Sequence, residues 1–219
     1  MTDSFYVQAL DLACGAFLLT GVLVLWRRDL AAFVWLFGLQ GFALGALIVV
    51  RGLHEGSAEL TALGAGVGLL RGVLLPYLMR SAPAAGEEGR ETHPRVSVAA
   101  SLLVAAVLTM LAYAVSQPLV RLTPTPETQA VPIALTVLLV GFFVLVTRRR
   151  ALSQVVGFLL MDNAITAAAF LTTSGVPLVV ELGVSLDVLL AVLVLQVLTT
   201  RMRAAFGGTD LDELRELHD

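Results

Sequence analysis

A succession of apolar segments, each long enough to cross the hydrocarbon core of a bilayer, constrains this chain more than any other feature. About 20 residues suffice for a crossing, and seven candidate spans of that length occur, at roughly 6–26, 30–50, 58–79, 96–115, 129–147, 152–172 and 177–199. Because backbone polar groups inside a bilayer must be satisfied within the segment, each span is predicted to be a helix. The composition, 58% hydrophobic and 14% charged, agrees. The sequence predicts an all-α, multi-pass protein of the cell membrane, with residues 1–219 forming one integral membrane domain.

The arginines predict the orientation of these spans, since the chain contains no lysine. Eleven arginines fall on one side of the predicted membrane, at positions 27, 28, 80, 90, 95, 148, 149, 150, 201, 203 and 215. The other side has two, Arg51 and Arg121, while Arg71 lies inside a span. By the positive-inside rule the N-terminus is predicted outside and the C-terminus in the cytoplasm. This agrees with seven crossings.

An internal repeat is indicated by a shift of 122 positions. It aligns identical residues at 22–24 with 144–146, at 27–28 with 149–150 and at 30 with 152, and it places Gln40 opposite Asp162. The third spans match as 70–74 against 186–190. We therefore predict two three-helix units, at about 6–79 and 129–199, joined by a linking helix at about 96–115 and followed by a cytoplasmic tail at 201–219. Chance similarity between apolar helices is the alternative.

Polar side chains occur at one depth in four of the spans. Gln40, Arg71, Asp162 and Asp187 each fall near the middle of a predicted helix, about 12–18 Å from either end at 1.5 Å per residue. An ionised side chain at the bilayer centre costs about 2.5–3.5 kcal/mol on insertion scales. These charges are therefore expected to be paired, neutralised or hydrated.

Arg71 is also predicted to face protein. Gly64, Gly68 and Gly72 recur every four residues and form a small-residue strip suited to close helix contact, and Arg71 lies along it. Pro76, five residues later, is predicted to kink the span.

Two interpretations of the polar residues stay open at this point. Arg71 could form a structural ion pair with Asp162 or with Asp187, and Gln40 could be an interhelical hydrogen-bonding residue. Alternatively, two aspartates at one depth favour one of them holding a proton, as a proton path requires. Glu181, about one turn inside the outer end of the last span, is a candidate outer member of that path, although solvation alone would also explain it.

No catalytic centre is predicted on this chain. His54, His93 and His218 lie in connections or the tail, too scattered for a metal site, and the single Cys14 excludes an all-cysteine iron–sulfur site. Neither a nucleophile–base arrangement nor a phosphate-binding glycine loop occurs. We predict no metal, no cofactor and no nucleic-acid partner.

The order of several short motifs resembles component E of hydrogenase-4 and formate-hydrogenlyase-type membrane complexes, whose second half is similar to the K subunit of bacterial complex I. Residues 160–163 resemble that family's Leu-Met-Glu-Asn, Arg71 before 73–76 resembles a lysine before Val-Leu-Leu-Val-Pro, Asp187 matches an intramembrane aspartate, and 208–211 resembles a tail motif. In the K subunit a glutamate stands at the position of Leu159, one turn before Asp162. Arg71 also replaces a lysine with a group that cannot plausibly deprotonate.

This resemblance implies a non-catalytic membrane subunit of a complex-I-like hydrogenase or respiratory complex. The implied partners are antiporter-like membrane subunits, cytoplasmic redox subunits and the lipid bilayer. Asp162 and Asp187 would then be protonatable stations, with Arg71 acting electrostatically and Gln40 by hydrogen bonding. The alternatives are an assembly subunit with no proton path and a component of a cation/proton antiporter.

Overall fold

The helical expectation is confirmed in a computed structural model, which describes residues 3–27, 29–81, 96–148 and 151–173. The helices are α1 (Asp3–Trp26), α2 (Leu30–Glu55), α3 (Ala58–Leu69), α4 (Leu75–Ser81), α5 (Val98–Leu122), α6 (Pro126–Thr147) and α7 (Ala151–Thr172). One turn of π-helix, Leu70–Leu74, joins α3 to α4 into a single span. Within these ranges six spans are long and apolar enough to cross a membrane. The predicted seventh span, with Glu181 and Asp187, and the tail lie outside the described residues.

Four helix starts are set by polar residues placed directly before an apolar run. The side chains of Asp29, Ser57, Ser97 and Thr125 accept hydrogen bonds from the first-turn amides of α2, α3, α5 and α6, respectively. Such caps satisfy amides that have no partner within the helix. Capping residues therefore specify where these four helices begin, although the helices themselves are almost uniformly apolar.

Two helices run further than the apolar pattern predicts. The second span was expected to end near 50, but α2 continues to Glu55 and ends at Gly56, whose φ of 68° is left-handed and suits glycine. The linking helix was expected to end near 115, but α5 continues through Pro118 to Leu122. Proline removes one backbone hydrogen bond without preventing the helix from continuing to its end.

Helices of the two halves meet in parallel pairs. Tyr6 hydrogen-bonds Glu127 near the start of α1 and α6, and Arg148 donates to the carbonyl oxygen of Leu25 near their ends. Helix α2 lies beside α7 in the same sense, and α3 also packs against α2. Helices α1, α2, α6 and α7 thus form the centre of the bundle.

Backbone-to-backbone contact holds α2 against α3 and the π turn. A Cβ added at Gly45 would lie 2.6 Å from the Cα of Gly68, and one at Gly41 would lie 2.5 Å from the carbonyl carbon of Arg71. The predicted strip is part of this contact, since a Cβ at Gly64 would also collide with α2. Small residues allow helices in lipid to approach this closely.

Gly45→Ala is expected to destabilise the fold by about 1–3 kcal/mol, because its new methyl group would meet an immovable backbone. Gly66→Ala is the matched control, since a Cβ at Gly66 meets nothing within 4 Å. Chemical unfolding of both variants in a mild detergent measures the difference. Equal stability of the two variants would contradict the close contact.

Candidate functional site

Arg71 lies in the π turn that joins α3 to α4. The backbone N–H of Leu75 donates to the carbonyl oxygen of Leu70, five residues earlier, instead of the usual four. Pro76 comes directly after Leu75, and in an ordinary helix its ring would clash with the carbonyl group of Gly72. The wider turn lets the span continue past the proline. Irregularity near Pro76 was predicted; the π turn itself was not. Such turns are frequent at functional sites.

The guanidinium of Arg71 is buried in the middle of the bundle and contacts α7. Its side chain is only 1% exposed, as the glycine strip predicted. Nη1 lies 2.6 Å from Oδ2 of Asp162 and 2.6 Å from Oδ1 of Asn163. Nη1 donates a hydrogen bond to the Asn163 oxygen. The contact with Oδ2 of Asp162 is an ion pair that lacks the geometry of a hydrogen bond. Of the two possible pairs considered from the sequence, Arg71 with Asp162 is present.

A directional chain of hydrogen bonds continues from this arginine to α2. Because a guanidinium only donates, the Asn163 amide must turn its oxygen toward Arg71 and its nitrogen away. That nitrogen donates to Oε1 of Gln40 at 3.1 Å. The Nε2 of Gln40 therefore points onward, and among the described residues this buried donor has no hydrogen-bond acceptor.

The polar cluster, defined as Gln40, Arg71, Asp162 and Asn163, separates two apolar clusters along the bundle. On one side Leu44 and Ala164 belong to a buried group that includes residues of α1 and α6. On the other side Phe37 and Leu160 belong to a second buried group. Asp162 is the most accessible member, with 15% of its side chain exposed, while Gln40 and Asn163 are almost fully buried.

In chemical terms the members of the polar cluster have different capacities. Neither amide can take up or release a proton near neutral pH, and arginine stays charged. The Asp162 carboxylate is the member that can change its protonation state. The cluster can therefore bind one proton, on Asp162, at this depth. The amide chain from Asn163 to Gln40 does not conduct protons.

The structure brings together three of the five residues that the sequence singled out, Gln40, Arg71 and Asp162. Asp187 and Glu181 are outside the described residues. Asn163 was not selected, although it links Arg71 to Gln40. Its position beside Asp162, at the depth of Gln40, was the available signal.

A second polar group lies at the end of the bundle where α2 and α7 end and α1 and α6 begin. Arg51, 7% exposed, pairs with Glu55 at 2.6 Å and donates to the carbonyl oxygen of Thr173 at 2.9 Å. Nearby, Tyr6 hydrogen-bonds Glu127 and its ring stacks on His54 at 3.8 Å. Arg51 had served only to assign a side of the membrane, and it is buried and bonded across α2 and α7.

A third buried arginine joins α6 to α1 at the arginine-rich end. Arg148 is 6% exposed, and its Nη2 lies 3.4 Å and 3.3 Å from the carbonyl oxygens of Leu25 and Arg27. Its guanidinium also lies 4.8 Å from the ring centre of Phe33. A cation is favourable at a helix C-terminus because it meets carbonyl groups that lack helical partners.

The ion pair predicts a measurable energetic coupling between Arg71 and Asp162. Each single variant, Arg71→Gln or Asp162→Asn, leaves a buried charge without this partner, which is costly by about 3–5 kcal/mol in comparable sites. In a double-mutant cycle followed by chemical unfolding, we expect the double variant to recover about 1–3 kcal/mol of the summed loss.

The control cycle combines Asp162→Asn with Arg121→Gln, because Arg121 is an exposed arginine. Its two effects should add to within about 0.5 kcal/mol. Simple additivity in the Arg71 cycle as well would contradict a direct pair.

Comparison with known proteins found relatives that match the chain along its whole length. The chain is 48% identical over its whole length to the uncharacterized protein Rv0085 of Mycobacterium tuberculosis, which it also covers completely. It is 24% identical to hydrogenase-4 component E of Escherichia coli and to the protein of the same name from Shigella flexneri, over 99% of each chain. No family model matches the sequence. No solved structure matches it either. On its full-length similarity, the chain belongs to the same family as Rv0085 of M. tuberculosis.

Proposed function

We propose that this chain is a membrane subunit of a complex-I-like hydrogenase or respiratory complex, and that the Asp162 carboxylate is a protonatable station in redox-coupled proton translocation. The observation on which this rests is the placement of a carboxylate against a buried arginine midway along the bundle. An ionisable pair at that depth is the usual mark of an ion pathway.

Membership of a larger assembly is supported by similarity along the whole chain. Hydrogenase-4 component E aligns with 99% of it, and Asp162 and Asn163 of the motif at 160–163 belong to the polar cluster. Since no redox centre is expected on this chain, the electron transfer would occur on cytoplasmic partner subunits. Antiporter-like membrane subunits would be its neighbours in the bilayer.

Within the proposed path, Arg71 acts by its charge. While it contacts Asp162, it stabilises the ionised carboxylate; when the two groups separate, the apolar surroundings favour the protonated form. Asp187, expected at the same depth, is proposed as a second carboxylate that competes for the arginine. Glu181 is proposed nearer the outer surface, and Gln40 orients Asn163.

The two-fold repeat is part of the proposal. Contacts between α1 and α6 and between α2 and α7 join residues 121 to 123 positions apart, close to the shift of 122: Tyr6 with Glu127, Arg51 with Thr173, and Gln40 with Asn163. Equivalent residues approach one another when two copies are related by an axis between them. We propose such an axis along the membrane normal, seven crossings, an outside N-terminus and a cytoplasmic C-terminus.

One observation favours a second candidate function, that of an assembly subunit without a proton path. Arg71 is almost completely buried, and its contacts bridge the π turn and α7. A pair that only locks helices together would look the same in a single structure. Function and assembly must therefore be measured separately.

Asp162→Asn in the assembled complex tests the proton path. The side chain keeps its size and polarity but cannot take up a proton, so fewer protons should be moved per electron than in the unmodified complex. Proton uptake and electron transfer are measured together in inverted membrane vesicles. Asp162→Glu should retain coupling, because it keeps a carboxyl group.

Asp3→Asn is the matched control, since Asp3 is an exposed carboxylate in the first turn of α1, and this variant should leave proton transport per electron unchanged. Full proton transport per electron with Asp162→Asn, in a complex that assembles normally, would eliminate the path through Asp162. If assembly itself fails and returns in the double variant with Arg71→Gln, the structural alternative is supported instead.

A further inference from the structure

A groove opens on the lateral surface of the bundle, between α2 and the span formed by α3, the π turn and α4. Its volume is about 450 Å³, and its floor is built from residues with small or compact side chains, Gly38, Gly72 and Pro76. Apolar side chains form its walls, among them Trp35, Phe42, Val73 and Tyr77, and Arg80 lies at one end.

We propose that this groove is a binding site for an anionic diacyl phospholipid, with one acyl chain in the groove and the lipid phosphate at Arg80. The proposal is independent of proton transport, because it uses none of the residues of the polar cluster.

The walls of the groove face the surroundings of the bundle. Trp35 is 57% exposed, Phe42 46% and Tyr77 67%, and both helices that carry them are apolar enough to span a membrane. At this depth the surroundings of an exposed wall are lipid chains or another membrane protein. Exposed aromatic side chains here are therefore in contact with apolar material.

The groove extends across about one leaflet of the membrane. Arg80 is one residue from the end of α4, and Trp35 is close to the start of α2, so this end lies at the arginine-rich boundary of the membrane. Phe42 is about one half-turn beyond Gln40 on α2, so the other end reaches the level of the polar cluster. From residue 34 to residue 42 the groove extends about 12 Å along the helix.

Charge complementarity favours an anionic headgroup over a zwitterionic one. The Arg80 side chain is exposed at the boundary, where a guanidinium can form two parallel hydrogen bonds to a phosphate group. Tryptophan and tyrosine are enriched in membrane proteins at the level of the lipid headgroups. Trp35 and Tyr77 line the same groove as Arg80. Basic pockets between membrane helices are a recognised setting for anionic lipids.

The size of the groove favours an acyl chain over a partner helix. A Cβ added at Gly38 would lie 3.0 Å from the carbonyl oxygen of Gly72, so α2 and the π turn nearly touch at the floor of the groove. The gap above that floor is therefore narrower than a helix about 10 Å across. A hydrocarbon chain needs no hydrogen-bond partner and can follow the shallow curve made by the glycines and the proline. The groove thus fits one chain of a lipid whose headgroup remains at the surface.

Fluorescence quenching of Trp35 by brominated lipids tests this site. The chain contains two tryptophans, so Trp26→Phe leaves Trp35 as the reporter in the full-length protein. The protein is placed in phosphatidylcholine nanodiscs with increasing fractions of dibrominated phosphatidylglycerol or dibrominated phosphatidylcholine. One arginine near the surface is expected to favour the anionic lipid about fivefold in relative binding constant.

Three variants in that background locate the interaction. Arg80→Gln should reduce the preference for phosphatidylglycerol to near unity, whereas Arg27→Gln, an exposed arginine at the same boundary but outside the groove, should leave it unchanged. Val73→Phe should narrow the groove and lower quenching by both lipids. Retained secondary structure by circular dichroism shows that each variant is folded.

Several results would overturn the proposal. Equal quenching by the two lipids in the starting protein would show no anionic site, and a preference that survives Arg80→Gln would place the site elsewhere. If neither brominated lipid quenches Trp35, a second copy of the chain or another protein covers the groove.

Discussion

Burial of the Arg71 charge midway along a bundle of apolar helices is the constraint on which the rest of this structure depends. A guanidinium at that depth requires a counter-charge and hydrogen-bond acceptors, since neither lipid nor aliphatic side chains provide them. Asp162 supplies the charge and Asn163 an acceptor, and both come from α7. Three elements, the α3–α4 span, α7 and α2 through Gln40, are therefore held at one level by one buried cation.

The surrounding backbone is arranged so that this contact can form. The π turn allows the span to continue past Pro76 with Arg71 directed inward, and Gly41 lets α2 come within backbone contact of that turn. Helices in lipid gain little from hydrophobic burial, so close packing and polar contacts decide which faces meet. The polar side chain of Gln40 is consistent with this, because it bonds α2 to α7 through Asn163.

The sequence predicted the spans well and the partners poorly, for a physical reason. Length and hydropathy determine which segments cross a membrane, so the six spans in the described part of the chain were found, with later ends for α2 and α5. Length and hydropathy do not determine how each helix is rotated about its axis, because an apolar helix in lipid has no polar face to orient it. Position along the spans predicted that Arg71, Asp162 and Gln40 lie at one level. Helix rotation decides the features that were not predicted, namely the role of Asn163, the π turn and the burial of Arg51 and Arg148.

If Asp162 is a protonatable station, its carboxyl group changes protonation state during turnover. Redox-triggered infrared difference spectroscopy on the assembled complex measures this directly, through the C=O stretch of a protonated carboxyl group. The expectation is a carboxyl band that disappears in Asp162→Asn and shifts in frequency in Asp162→Glu. An unchanged carboxyl region in Asp162→Asn, in a complex that still moves protons, would contradict it.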